Sequence, residues 1–178
     1  ILGTLSATRV LVVVSRSALA DASVRDGVLG AIEEAGIDAS VVRYDRLPGD
    51  GDPFTSPRGR FREASPDVVD ALARAYRAKV PDALVAIGGG SAIDTGKALG
   101  AALREEGSIV DLLEGVGTRA PGGATVPFVA VPTTAGTGSE ATKNAVLSRP
   151  GEDGFKKSLR HDNYVPDVAL IDPALHLS

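Results

Sequence analysis

Short continuous apolar runs alternate along this chain with segments whose apolar residues recur every three or four positions. Arg9–Val14 is an unbroken, β-branched apolar run, the pattern of a strand buried on both faces of a parallel sheet. From Ala20 to about Ala35, the residues Val24, Val28, Leu29 and Ile32 fall near the helical period, and Gly36 stands where a terminating glycine belongs. Ala39–Tyr44 reads as a second strand, and Leu47–Arg60, dense in Pro, Gly and Asp, as a loop. Ser65 is a helix cap ahead of Pro66 at the first helical position, with Asp67 in the first turn. Val69, Leu72, Ala73 and Tyr76 form that helix's apolar face, and Pro81-Asp82 breaks it.

The third strand, Ala83–Ile87, stops at Gly88-Gly89-Gly90, and a helix-like segment runs from Ser91 to about Leu103. Ser91 as N-cap with Asp94 three residues on predicts a capping box. A polar stretch, 105–123, leads to a strand over Thr125–Val131 with Pro127 near its start. Ala141–Leu147 and Lys157–Arg160 predict a hairpin turning at Pro150–Gly154, and Val168–Ile171 a last strand. Strands alternating with helices predict an α/β fold, a Rossmann-like parallel sheet flanked by helices with right-handed crossovers. Ligands in such sheets bind beyond the carboxyl ends of the strands, where strand order reverses. Three strand ends carry chemistry and are expected to meet in one crevice: Ser15-Arg16-Ser17, Gly88–Ser91 and Pro132–Glu140.

Composition narrows the classes. A chain of 178 residues, 43% hydrophobic and 24% charged, suits one domain with a real core. A net charge of −4 offers no basic footprint for nucleic acid. There is no Cys, so a thiol nucleophile, a disulfide and Cys-ligated zinc are excluded. No apolar run has bilayer-spanning length and no secretory signal opens the chain, so no membrane partner and a cytoplasmic location are expected. Ile1 is not an initiator, and the numbered chain is expected to be cut from something longer.

Bare glycine backbone before a helix presents free N–H groups and the positive end of the helix dipole, a site for phosphate. The same stretch is also readable as a tight strand-to-helix turn. It is not the G-x-G-x-x-G fingerprint, because Ile93 stands where the last glycine belongs, nor a Walker A loop, because Lys97 follows too late. The second stretch, Pro132-Thr133-Thr134-Ala135-Gly136-Thr137-Gly138-Ser139-Glu140-Ala141-Thr142, is dense in hydroxyls that can reach phosphate and ribose oxygens. By itself it is equally a Ser/Thr-rich loop.

Together, Gly-Gly-Gly-Ser-x-x-Asp-x-x-Lys at 88–97 and Pro-Thr-Thr-Ala-Gly-Thr-Gly-Ser-Glu at 132–140 closely resemble the iron-containing (group III) alcohol dehydrogenase family. Lys156 and Pro166-Asp167-Val-Ala-Leu-Ile-Asp172-Pro173 extend the likeness over nearly the whole chain. The resemblance implies the N-terminal α/β domain of the dehydroquinate synthase-like fold, binding NAD or NADP. It implies that a C-terminal helical domain, absent from residues 1–178, holds Fe2+ or Zn2+ through an Asp and three His. It implies Gly89, Gly90 and Ser91 at the pyrophosphate, Gly88 beside them at the cofactor, and Asp94 towards the nicotinamide. It places Thr133, Thr134, Thr137 and Thr142 along the cofactor and Lys156 at a ribose. Read without the family, Asp94 only caps its helix, Lys97 only pairs with Asp94, and Glu140 is a solvated loop charge.

Departures from the family bear on metal and cofactor. His161 and His176 match no ligand position of the family and read as surface residues. The family's opening strand is short or missing before Leu2-Gly3, and its Asn-Pro-Thr before the next helix is Glu63-Ala64-Ser65 here. Ser15, Arg16 and Ser17 stand where many NAD-preferring members carry an Asp, which favours NADP. The expected function is the nucleotide-binding half of a metal-dependent alcohol dehydrogenase, interconverting an alcohol and an aldehyde or ketone, with a homodimer left open. The alternatives are a related reductase of a carboxylated or phosphonylated aldehyde, and a stand-alone nucleotide-binding module. The covered chain by itself is expected to be inactive, with no metal site.

Overall fold

A computed structural model describes residues 1–55 and 59–176. The part of the expected loop at 56–58, and the last two residues, lie outside the described residues. Five parallel strands form the main sheet in the order β2-β1-β3-β4-β7: β1 Arg9–Val14, β2 Asp38–Arg43, β3 Ala83–Gly88, β4 Phe128–Pro132 and β7 Val168–Ala169. Alternate residues of β1 face opposite sides. Leu11 and Val13 join one core with Val69, Leu72, Leu84, Leu99 and Phe128. Val10, Val12 and Val14 join the other with Val24, Ile32, Ile87 and Val131. Burial on both faces explains why these strands read as unbroken apolar runs.

Helices α3 (Pro66–Tyr76) and α4 (Gly90–Ala102) cover the first face. Ser65 caps α3 as the sequence predicts, accepting the Asp67 amide at 3.2 Å. β5 (Asn144–Arg149) and β6 (Phe155–Arg160) form the expected hairpin, shifted so that Arg149 faces Phe155 across the turn.

Four expectations need correction. The helix predicted over 20–35 is divided: α1 spans Arg16–Ala20, Asp21 is extended, a wide π-type turn runs over Ser23–Leu29, and α2 is Gly30–Glu34. Ser15 nucleates α1 by accepting the Ala18 amide, and the Asp21 carboxylate takes the Ser23 amide at 2.8 Å, which restarts the helix there. Gly36, at φ +69, ends α2 as expected. β4 begins at Phe128, after Pro127, which has no N–H for the ladder. β7 is only Val168–Ala169. Finally, α4 begins at Gly90 with Gly89 as its cap, so neither the Ser91 N-cap nor the Asp94 capping box forms.

Candidate functional site

The sheet's order reverses between β1 and β3, and the chemistry gathers there. Beyond β3, Gly88 has φ +148, open to glycine alone, and a β-carbon there would lie 2.9 Å from Ser15 Cβ. Gly89 is extended and caps α4 without a side chain. The Ala92 and Ile93 amides both bond back to the Gly89 carbonyl. The amides of Gly90 and Ser91 precede these first helical bonds and so have no partner within the helix. The Thr133 amide donates to the Gly88 carbonyl at 3.0 Å, which seats the second motif on the first. A β-carbon on Gly89 would meet Thr134 Oγ1 at 3.2 Å, and one on Gly90 would meet Thr137 Cγ2 at 2.9 Å.

A cavity of about 300 Å³ opens before the start of α4. Gly90, Ser91, Asp94, Thr137, Thr142 and Lys156 line it, so six of the residues expected at the cofactor share one chamber. Ser139, Asn144, Val146, Glu63 and Ala64 complete its wall. A second chamber of about 440 Å³, beyond β1 and β2, is lined by Ser15, Arg16, Ser17, Ala20, Tyr44 and Asp45. Gly88 abuts Ser15 and Gly89 abuts Thr134, so the glycine loop stands between the two chambers. A third cavity, about 390 Å³, lies against Val28, Ile32, Val85, Val131 and Leu170; its wall is apolar and suits no phosphate.

Asp94 is buried at 8% exposure and has turned away from its own helix end. One carboxylate oxygen accepts the Val146 amide of β5 at 3.1 Å. The other is buried without a hydrogen-bond partner, on a residue that lines the chamber. Burial raises its pKa above the usual carboxylate range, opposed by the Val146 amide, the Lys97 charge, the Ser139 hydroxyl and Lys156. Lys97 is not simply paired with Asp94. Its ammonium donates to the Thr142 carbonyl at 2.7 Å and the Asn144 carbonyl at 2.8 Å. Lys156 pairs with Glu63 at 2.7 Å, and this contact holds down the Glu63 carboxyl's pKa. Glu140 is half-buried, with one carboxylate oxygen buried and unpartnered, and is not the solvated loop charge of the plainer reading.

Sequence reasoning missed Asp45, which is 3% exposed, held by both nitrogens of the Arg43 fork at 2.8 and 2.5 Å and by the Gly59 amide at 2.7 Å. An Asp just past a strand end was the available signal. Glu63 carried none, since its partner lies 93 residues away. His161 and His176 are half-buried and far apart in role: His161 takes the Asn163 amide at 3.1 Å, and His176 contacts the Asp172 carbonyl. Among the described residues, no three His, Asp or Glu side chains converge as a metal site. No helix among them is long and apolar enough to cross a membrane.

The family model for iron-containing alcohol dehydrogenase matches residues 1–173. Choline dehydrogenase of Bacillus subtilis (strain 168) is 34% identical over 159 residues, covering 88% of this chain and 35% of that protein. NADH-dependent butanol dehydrogenase A from Thermotoga maritima superposes with a TM-score of 0.80 at 22% identity, covering 98% of this chain and 39% of its own, a likeness of fold. Sulfoacetaldehyde reductase from Bifidobacterium kashiwanohense, solved with NAD+, gives 0.75 at 28% identity over 99% of this chain and 42% of its own. The chain thus spans well under half the length of these relatives. Its two motifs, its sheet order and the match over 1–173 together place this chain in the iron-containing alcohol dehydrogenase family.

Proposed function

We propose that residues 1–178 are the NAD(P)-binding α/β domain of a metal-dependent dehydrogenase that interconverts an alcohol and an aldehyde or ketone. The observation that carries this reading is the uncapped start of α4 at Gly90 and Ser91, opening on a chamber that also holds a buried, unpartnered Asp94 oxygen. Free amides and the helix dipole take a pyrophosphate. An unpartnered buried carboxylate oxygen asks for a ligand donor, and a carboxamide N–H or a ribose hydroxyl meets that need. The solved neighbour that holds NAD+ supports the same class of ligand.

Each residue then has a task of its own. Gly88 and Gly89 let the chain turn close to the ligand, and Thr133 ties the second motif to them. Thr134, Thr137 and Thr142 offer hydroxyls along the groove. Lys156 exchanges Glu63 for a ribose or phosphate oxygen. Ser15, Arg16 and Ser17 stand at the adenosine end, where the guanidinium favours NADP. A bound nicotinamide supplies the hydride acceptor or donor. Because the donor set for Fe2+ or Zn2+ does not converge among the described residues, the metal is assigned to the rest of the full-length protein. We further assign the protein to the cytoplasm.

A second reading, reduction of an anionic aldehyde, is favoured by the likeness to a sulfoacetaldehyde reductase. The test of the cofactor site is Gly90→Asp in the intact protein. Its β-carbon would lie 2.9 Å from Thr137 Cγ2, and its carboxylate would place negative charge at the pyrophosphate. NAD(P)H titration should show binding abolished; unchanged affinity would overturn the site.

A further inference from the structure

Lys97 is the largest wholly buried side chain of the described residues, at 2% exposure, and it lines neither the chamber before α4 nor the one beyond β1 and β2. A buried cation is costly unless partnered. The surrounding helix is apolar, with Ile93, Ala98, Leu99 and Ala101 all buried, so an aliphatic residue would fill position 97 without that cost. An ammonium has three N–H donors. Here two go to the carbonyls of Thr142 and Asn144, and Thr142 Oγ1 lies within 3.3 Å for the third. All are spent where the second motif runs into β5. One turn earlier on the same face of α4, Asp94 accepts the Val146 amide. The helix that begins the phosphate loop therefore grips the first strand of the hairpin at two points. That strand and the residues leading into it bring Thr142, Asn144 and Val146 to the chamber, and its pairing of Ser148 with Lys156 brings the lysine. Asp94 and Glu140 supply the negative charge that compensates the buried ammonium.

We propose that Lys97 is a positioning residue for the cofactor chamber: it touches no ligand, and it fixes the hairpin wall to the helix that carries the phosphate loop. The proposal rests on the nucleotide-binding reading for its effect on affinity, and on geometry alone for the latch. Lys97→Met keeps length and apolar volume while removing the charge and the donors.

The experiment compares hydrogen exchange and NADH or NADPH affinity in the intact wild type and the Lys97→Met protein. Loss of charge-assisted bonds should speed amide exchange over 142–149 about tenfold, leave β1, β3 and β4 protected, and weaken dinucleotide binding about tenfold. A residue of merely structural weight would lower the melting temperature and leave the affinity of the folded protein alone. Unchanged hairpin exchange overturns the latch, and faster exchange with unchanged affinity overturns the positioning role. A wild type that binds no dinucleotide defeats the cofactor reading, while the exchange data still decide the latch. Where Lys97→Met does not fold, the wild type decides: its hairpin should exchange in one cooperative step with α4, and a hairpin that opens ahead of α4 overturns the proposal.

Discussion

Ser15 shows how one side chain limits what its neighbours can do. Its hydroxyl accepts the Ala18 amide at 3.1 Å as the cap of α1 and lies 3.2 Å from the Ser17 hydroxyl, so one of these two hydroxyls donates to the other. The donors left to meet a 2′-phosphate are the remaining hydroxyl and the Arg16 guanidinium. Arg16 borders the Tyr44–Asp45 chamber and a recess shared with Arg25 and Phe54. The Asp45 carboxylate, which would repel a phosphate, is engaged by Arg43 and the Gly59 amide. We therefore expect NADPH to bind at least as well as NADH. Replacing Ser15→Asp together with Arg16→Ala should shift the NADPH to NADH ratio towards NADH by roughly ten- to a hundred-fold. Asp is itself a good N-cap, so α1 should survive the change. Paired binding curves check this, and a double mutant with an unaltered ratio would show that the turn after β1 does not set the choice.

At the scale of elements, Lys97 and Asp94 bond α4 to the hairpin, and the cost of that contact falls on the buried ammonium. Burial drives the Lys97 ammonium from 10.5 to about 8, against the pull of Asp94 and Glu140. The unfolded chain therefore binds the extra proton between those values, and stability from this group rises with pH across that window. It is lost as pH falls through about 8. The difference in unfolding free energy between wild type and Lys97→Met should move in the wild type's favour by about 3 kcal/mol from pH 8 to pH 10.5. Urea melts at a series of pH values measure it; a pH-independent difference would mean that the ammonium is not desolvated as placed. The divided helix after β1 belongs to this scale too. Its apolar spacing was legible, but Ser15 and Asp21 each recruit nearby amides, and that local competition breaks the period.

Across the whole molecule, the strand order reverses between β1 and β3 and sets β4 beside β3. The crevice at the strand ends therefore holds two chambers, one beyond β1 and β2 and one that the glycine loop shares with the second motif. The described residues form the wall of that crevice without a converging set of metal ligands. Purified 1–178 should consequently show no alcohol turnover and no stoichiometric metal, since a catalytic site of this kind needs at least three protein ligands. Elemental analysis and an NAD(P)-coupled assay test this, and metal at one equivalent would refute it.

The runs 9–14 and 83–87 and the glycines at 88–90 suffice to read strands, sheet class and the turn from β3 into α4, because buried parallel strands and glycine-rich helix starts write themselves into adjacent residues. The motifs suffice for the family. Asp94 and Lys97, three residues apart on one helix, looked like a cap and its ion pair. Only the tertiary structure turned both towards Val146, Thr142 and Asn144, which are 45 to 52 positions away in the chain. The Lys156–Glu63 pair, 93 positions apart, was equally invisible. Local spacing determines which groups can meet within a turn or a strand. Which of them prefer a distant partner depends on what the fold brings within about 3 Å and removes from water, and that is decided by packing.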